Sequence, residues 1–156
     1  MKATELMIGD WVCQKGSGLT LKVSKINPPY IEAEGEEGQF HEDTLRPLRA
    51  TGDILTANGF TLCEGCTSAW EWSSERGYDH IRISGVGTRR WPEQRLDVAK
   101  NSKGPGYGFY RALNDFDFVG LHRIQQVARL LHIDVTFDNI PEKYEWKFDI
   151  NENKEL

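Results

Sequence analysis

The clearest pattern of apolar and polar positions lies between Phe118 and Ile133. Apolar residues recur there at intervals of three or four, which is the spacing of one face of an α-helix. The apolar face consists of Phe118, Leu121, Ile124, Ala128 and Leu131, widened by Val127 and Leu130, and Arg123, Gln126 and Arg129 lie opposite. Asp115 or Asp117 can accept hydrogen bonds from the first-turn amides. The pattern predicts a helix over residues 118–132 with one buried face.

The first 49 residues follow a different period. Leu19, Leu21 and Val23 alternate with polar residues, as in a strand that is buried on one side. Similar short segments are separated by turn-forming glycine and proline, and they predict five strands at 10–14, 19–26, 30–34, 39–41 and 44–48. Five short strands within so few residues predict a small SH3-like β-barrel over residues 1–49.

The next segment predicts a short helix over residues 51–58. Thr51 is suited to the N-cap, Asp53 lies in the first turn, and Gly59 can take the left-handed position that ends a helix. Ile54, Leu55 and Phe60 would anchor it in a core. We interpret it as the link between the barrel and a second module over residues 50–156.

The second module is predicted as an antiparallel sheet packed on the long C-terminal helix, so the fold class is α+β. Strands are expected at 60–63, 69–73, 79–84, 88–91 and 109–113, with an edge strand at 135–138. Trp70 or Trp72, with Ile81 and Ile83, would form the apolar side of the sheet. Residues 92–108 are predicted to be a loop.

The length and the composition of the chain indicate one or two small globular domains. The chain has 156 residues, of which 38% are hydrophobic and 28% charged. It contains no apolar run near the roughly 20 residues that cross a bilayer, and its first residues lack a signal-peptide pattern. We therefore expect a cytoplasmic protein without a membrane partner.

Charge is unevenly distributed along the chain. The net charge of −5 argues against a tight electrostatic hold on nucleic acid. The middle is nevertheless basic, and aromatic residues there could stack on single-stranded bases. The candidate residues for binding a nucleic acid or another partner are Arg89, Arg90, Trp91, Lys103, Tyr107 and Arg111. The alternatives are that these aromatic residues belong to the core and that the basic residues form an ordinary solvated face.

The chain has three cysteines, Cys13, Cys63 and Cys66. An odd number without a secretion signal indicates reduced thiols. The spacing of Cys63 and Cys66 is that of half a zinc knuckle or of a redox pair at a helix N-terminus. A second pair of ligands is missing, and a strand is predicted after the pair. We therefore favour a hairpin turn and expect no metal and no cofactor.

Catalytic candidates are few. His122 has the ordinary pKa range of a general base, and Gln125 or Gln126 lies within a turn of it. No nucleophile or carboxylate is marked by spacing, so no catalytic residue is assigned. Asp115 and Asp117 could bind a hard cation, but helix capping explains them better. Two functions stay open: a non-enzymatic binding or protein-interaction module, and a hydrolase-like enzyme that uses His122.

Three segments resemble a family of small proteins encoded in Bacteroidetes genomes, often near prophage or other mobile elements. They are ELMIGDWV at 5–12, RPLRATGDILTANGF at 46–60 and VGLHRIQQVARLLHI at 119–133. The chain departs from the family pattern at Arg49 and Ala50, which are inserted, at Gly52, where proline is common, and at His132, where glycine is usual. The resemblance implies an N-terminal SH3-like barrel and brings no catalytic residue with it. Of the two functions left open, the binding module is favoured because no residues converge into a catalytic set, and we therefore expect an unidentified protein partner.

Overall fold

The computed structural model describes residues 1–66, 68–86, 94–101, 110–115 and 119–144. They form a mixed α+β structure with two five-stranded antiparallel sheets and one main helix. The chain divides into two compact units, Met1–Leu48 with Pro141–Leu156, and Arg49–Ile140. No helix of the described residues is long and apolar enough to cross a membrane.

The sheet of the first unit contains all five predicted strands. They are β1 (Trp11–Gln14), β2 (Thr20–Asn27), β3 (Tyr30–Ala33), β4 (Phe40–His41) and β5 (Leu45–Pro47). Their order is β4-β3-β2-β1-β5, and a short 3₁₀ turn, Glu42–Thr44, joins the last two strands. Among the described residues this pairing leaves β4 and β5 at the edges and shows no closed sheet, so the SH3-like barrel stays a prediction.

The core of the first unit follows the alternation of its strands. Its buried residues are Ala3, Leu6, Val12, Leu21, Val23, Ile31, Ala33 and Leu45. Residues 141–144 join this unit, because Tyr144 N donates to Gly18 O at 2.8 Å and Thr20 N donates to Glu142 O at 3.0 Å. Gly18 has a φ of 72°, and a Cβ atom there would lie 2.5 Å from the Tyr144 carbonyl oxygen. The sequence alone predicts that residues 141–144 belong to the second module.

The second unit begins with α1 (Gly52–Ala57). As predicted, Thr51 Oγ1 caps it by accepting from Ile54 N at 3.2 Å, and Gly59 has a φ of 90°. The helix lies against Trp70, whose Nε1 donates to Thr56 Oγ1 at 3.2 Å. A Cβ atom on Gly52 would come within 2.8 Å of the Trp70 ring, so this close contact favours glycine at the position.

The second sheet has the order β10-β9-β8-β7-β6. Its strands are β6 (Thr61–Leu62), β7 (Ala69–Ser73), β8 (His80–Ser84), β9 (Gln94–Ala99) and β10 (Tyr110–Asp115). The predicted loop at 92–108 is wrong for β9, in which Gln94, Leu96 and Val98 are buried and alternate with the exposed Arg95 and the half-buried Asp97. In the sequence, the proline before this segment and the glycines after it favour a loop and make the alternation difficult to recognise. The structure shows no strand at 135–138, and the predicted strand at 88–91 lies outside the described residues.

The main helix, α2 (Leu121–Leu130), is shorter than the predicted 118–132. Leu121, Ile124 and Ala128 are buried as expected, whereas Leu131 is half-buried and Leu130 is 78% exposed. The predicted cap is wrong for Asp115, because this residue belongs to β10 and Gly120 occupies the N-cap position. Asp117 and Phe118 lie outside the described residues.

Hydrogen bonds connect the two ends of α2 to the first residue of β9 and to the residue that follows this strand. Before the helix, Val119 N donates to the buried Gln94 Oε1 at 2.6 Å. After it, Lys100 Nζ donates to the carbonyl oxygen of His132 at 2.9 Å. Because Gln94 begins β9 and Lys100 follows it, the helix runs alongside this strand. The predicted pairing of the helix with the sheet therefore has a specific polar basis.

Candidate functional site: the polar face of the second sheet

The two sides of the second sheet differ in chemistry because side chains alternate along each strand. Ile81 pairs with Trp72 and Val98, and these residues lie on the apolar side. The intervening positions of β7, β8 and β9 carry polar side chains on the other side. We call this side the polar face: Glu71, Ser73, His80, Arg82, Ser84, Arg95 and Asp97.

A cavity of about 850 Å³ opens on part of the polar face. Its walls come from β7, β8 and β9 and from the segment around β6 that includes the cysteine pair. The lining residues are Gly59, Thr61, Leu62, Cys63, Glu64, Cys66, Ala69, Glu71, Ser73, Arg82, Ser84 and Arg95. Charges of both signs and several hydroxyl groups thus line one concave surface.

Glu71 is the centre of a polar network in this wall. Its Oε2 accepts a hydrogen bond from Arg82 Nη2 at 3.1 Å and lies 3.8 Å from Cys63 Sγ. Its Oε1 lies 3.2 Å from His80 Nδ1. The side chains of Glu71 and His80 are only 16% and 6% exposed, which shields these contacts from water. The network fixes the position of the carboxylate in the cavity wall.

His80 also contacts Ser73 and a backbone carbonyl. Its Nε2 lies 2.8 Å from Gly77 O, and its Nδ1 lies 2.8 Å from Ser73 Oγ. Because a carbonyl can only accept, Nε2 carries a proton, and the Nδ1 of a neutral ring accepts from Ser73. In a Ser-His-acid triad the serine and the carboxylate hold opposite ring nitrogens. Here Ser73 and Glu71 approach the same nitrogen, so the arrangement differs from a triad.

The cysteine pair forms a hairpin turn, in agreement with the favoured interpretation. Cys66 N donates to Cys63 O at 3.0 Å, and Gly65 between them has a φ of 74°. All three cysteines of the chain are free thiols. Burial raises the pKa of Cys63, an effect that the nearby Arg82 opposes and Glu71 reinforces. Within the described residues, no group of three or more histidine, cysteine or acidic side chains is arranged to hold a metal ion.

His122 lies away from this cavity. It is 5% exposed on α2 and is not among the lining residues. Gln125 and Gln126, its predicted neighbours, are half-buried on the same helix. The structure thus places the predicted general base in the interior of the second unit and brings a different histidine, His80, to the polar face.

The basic middle of the chain is only partly described. Arg89, Arg90, Trp91, Lys103 and Tyr107 lie outside the described residues, and Arg111 lies in β10, where its backbone pairs with Asp97. In the sequence the first three precede β9 and the next two follow it. The two ends of β9 are about 17 Å apart.

Two other basic residues of this stretch have defined positions. Arg95 is exposed and lines the cavity. Lys100 Nζ lies 3.1 Å from Asp79 Oδ2. It also donates the hydrogen bond to His132 O that follows α2. Desolvation would raise the pKa of Asp79, but hydrogen bonds from Asn101 N and Lys100 outweigh it and hold that pKa below its ordinary value. Residues that are close in the sequence therefore have different structural roles.

Sequence reasoning missed the polar face, although a signal for it exists. Three neighbouring strands each carry a charged residue between two apolar ones: Glu71 between tryptophans, Arg82 between isoleucines, and Asp97 between leucine and valine. Such alternation predicts a charged side opposite an apolar side. Finding the row of contacts requires the strand register, which the sequence does not supply.

Comparisons with known proteins give no information about this site, so its function is inferred from its geometry. No protein-family model, no curated protein and no solved structure matches this chain.

Proposed function

We propose that this chain is a non-enzymatic protein-interaction module, and that its second unit binds an extended segment of a partner protein on the polar face. The observation that carries the proposal is the mixed lining of the cavity, in which Arg95 and Glu64 provide opposite charges beside the hydroxyl groups of Ser73 and Ser84. Peptide segments offer matching charges and hydrogen-bonding groups. Pockets for small molecules are predominantly apolar, with only a few polar groups.

The fixed geometry of the wall supports this function. The hydrogen bond from Arg82 holds Glu71 in place, so part of the polar surface is organised before a partner arrives. Preorganisation lowers the entropy cost of binding. Arg95 is exposed, and we propose that an acidic side chain of the partner lies against it.

The first unit would contribute the small scaffold that the sequence resemblance implies. We propose that it is an SH3-like barrel, supported by the return of β5 to the side of β1 and by the 3₁₀ turn that precedes β5. Kinship with the Bacteroidetes family, its association with mobile elements and a cytoplasmic location are part of the same proposal, and they rest on the three resembling segments.

The experiment uses peptides selected from a displayed random library against the full chain, followed by calorimetric titration of the synthetic peptides. We expect Arg95→Glu to weaken binding about tenfold or more, because it places like charges together. Arg123→Glu is the matched control, since Arg123 is exposed on α2 and does not line the cavity. Failure to enrich peptides, or equal binding by both variants, would count against the proposal.

A hydrolase that uses His122 is disfavoured by the burial of that residue away from the cavity. Weak binding of single-stranded nucleic acid through the basic middle segment remains the alternative from the sequence. The same titrations with labelled oligonucleotides address it, because phosphate contacts weaken steeply as salt rises. Salt-sensitive binding that Arg89→Ala with Arg90→Ala abolishes would favour this alternative.

A further inference from the structure

The two cysteines in the cavity wall stand at the first and last positions of one reverse turn. The turn is closed by the hydrogen bond from Cys66 N to Cys63 O, 3.0 Å long. The end residues of a β-turn have Cα atoms less than about 7 Å apart. Disulfides span Cα separations of about 4.4–6.8 Å. The backbone therefore already holds the two residues near the separation that a disulfide requires.

The two thiols have different surroundings. Cys66 is exposed, whereas Cys63 is half-buried and its Sγ donates to Glu71 Oε2 at 3.8 Å. The pair thus combines an accessible outer thiol with an inner thiol beside a carboxylate. Cys13, in contrast, is fully buried in the first unit and offers an internal reference.

We propose that Cys63 and Cys66 are a redox-active dithiol, which a small-molecule disulfide such as oxidised glutathione converts to an intramolecular disulfide. The inference goes beyond the proposed function, because the chemistry requires no partner protein. It makes the cavity wall a modification site as well as a binding surface.

The reaction proceeds by two thiol–disulfide exchanges. The Cys66 thiolate attacks one sulfur of the small disulfide, the S–S bond of that molecule breaks, and one thiolate leaves and takes up a proton. Cys63 Sγ then attacks the Cys66 sulfur as its proton passes to the Glu71 carboxylate, the bond between Cys66 and the small thiol breaks, and the second small thiolate leaves and takes up that proton from Glu71. The protein loses two electrons and two protons, and the small disulfide is reduced to two thiols.

The surroundings indicate this order of attack. Burial raises the pKa of Cys63, so less of it is thiolate, and Cys66 is the more accessible of the two. Glu71 is then positioned to accept the proton of the second, buried nucleophile. Oxidation removes the thiol hydrogen from the Glu71 network and so alters the polar face.

The primary test is a redox titration of the unmodified full chain. The reduced protein is equilibrated with defined ratios of reduced and oxidised glutathione, quenched with acid, labelled with a maleimide under denaturing conditions and weighed by mass spectrometry. We expect two thiols to disappear together, a peptide in which Cys63 and Cys66 are linked, and a free Cys13. A stable glutathione adduct on Cys66, or disulfides between chains, would overturn the proposal.

Two variants test the steps separately. Cys63→Ser is expected to stop the reaction at the mixed disulfide on Cys66. Glu71→Gln is expected to lengthen the life of that mixed disulfide about tenfold or more, because it removes the proton acceptor. Glu75→Gln, at an exposed carboxylate that does not line the cavity, is the matched control. Equal lifetimes in folded Glu71→Gln and Glu75→Gln, with folding checked by circular dichroism, would remove Glu71 from the mechanism.

The outcome is separable from that of the peptide experiment. Oxidation is measured without any partner, and peptide binding is measured on the reduced protein. A chain that binds peptides and forms no internal disulfide contradicts only the redox proposal.

Discussion

The two sheets have the same number of strands and the same antiparallel pairing, yet they hold their charged side chains differently. In the first unit, Lys22 of β2 pairs with Glu34, the residue after β3, at 3.7 Å, and the two side chains are 34% and 67% exposed. In the second sheet, Glu71 pairs with Arg82 and His80 while only 16% exposed. The first arrangement is that of a solvated surface, and the second is a shielded network.

The difference matters for function because shielding changes the consequences of a polar contact. Exposed ion pairs contribute little to stability, since water and salt screen them. A shielded carboxylate must keep its partners, because losing them leaves a polar group without water or a hydrogen bond. The side chains of such a network are therefore fixed in position, which a binding surface requires. The following predictions test this contrast.

The largest effect is expected in the apolar core of the second unit. Ile124 is fully buried on α2, so Ile124→Ala should cost about 2–5 kcal/mol of unfolding free energy. Leu130→Ala on the same helix is the control and should change stability by less than about 0.5 kcal/mol, because Leu130 is 78% exposed. Urea denaturation measures both. A loss well under about 1 kcal/mol for Ile124→Ala would mean that the helix face is wrongly assigned.

The second prediction addresses the two sheets directly. Glu71→Ala should cost about 1–3 kcal/mol, because it leaves the Arg82 guanidinium without a carboxylate partner that is only 16% exposed. Glu34→Ala in the first unit should cost less than about 0.5 kcal/mol, since its ion pair is exposed. Chemical denaturation of both variants under one buffer gives the comparison. Equal losses would show that the shielding of Glu71 is unimportant.

The contrast also explains how much of the fold the sequence could predict. The five strands of the first unit were readable because alternation between Leu21, Val23 and their polar neighbours is local. The Thr51 cap of α1 was equally local. The strand order of the first sheet and the end of α2 depend on contacts between distant residues. Leu130 continues the apolar pattern of α2 and is nevertheless 78% exposed among the described residues.

The candidate site was less predictable for the same reason. His80 and Ser73 are seven residues apart, and Arg82 and Glu71 are eleven apart. Their contacts arise only from the register of β7 and β8, in which Glu71 faces Arg82 and Ser73 faces His80. The sequence instead indicates His122 as a candidate general base and the basic middle of the chain as a candidate binding segment. The turn formed by Cys63 and Cys66 was predicted, because glycine at a turn position is a local signal.

The third prediction concerns how the ion pair between Asp79 and Lys100, the residue that contacts the end of α2, changes stability with pH. The pKa of Asp79 is held low, so its contribution to stability is present above the unfolded value of about 4 and is lost as pH falls through the folded value. Asp79→Asn should therefore destabilise the protein at pH 7, and the difference from the unmodified chain should shrink below about pH 4. Urea midpoints between pH 7 and pH 3 measure this. A difference that stays constant with pH would contradict the assigned ion pair.

Glu42 provides the corresponding case in the first unit. Hydrogen bonds from Ala3 N at 2.8 Å and Lys2 Nζ at 3.1 Å lower its pKa. Its stabilisation is likewise expected above the unfolded pKa and lost on acidification. Glu42→Gln should thus show the same narrowing with pH. If only Asp79→Asn narrows, the low pKa of Glu42 is not coupled to folding.

The smallest effect is expected from the cysteine pair in its reduced state. Cys63→Ser with Cys66→Ser keeps a hydroxyl donor near Glu71 and the turn that Gly65 permits, so the melting temperature should be nearly unchanged. Protein purified without chelator should carry no stoichiometric zinc. A structural zinc would contribute folding free energy directly, and the double variant would then melt at a much lower temperature. Elemental analysis that finds about one zinc per chain would contradict the free dithiol and, with it, the redox chemistry proposed for the cavity wall.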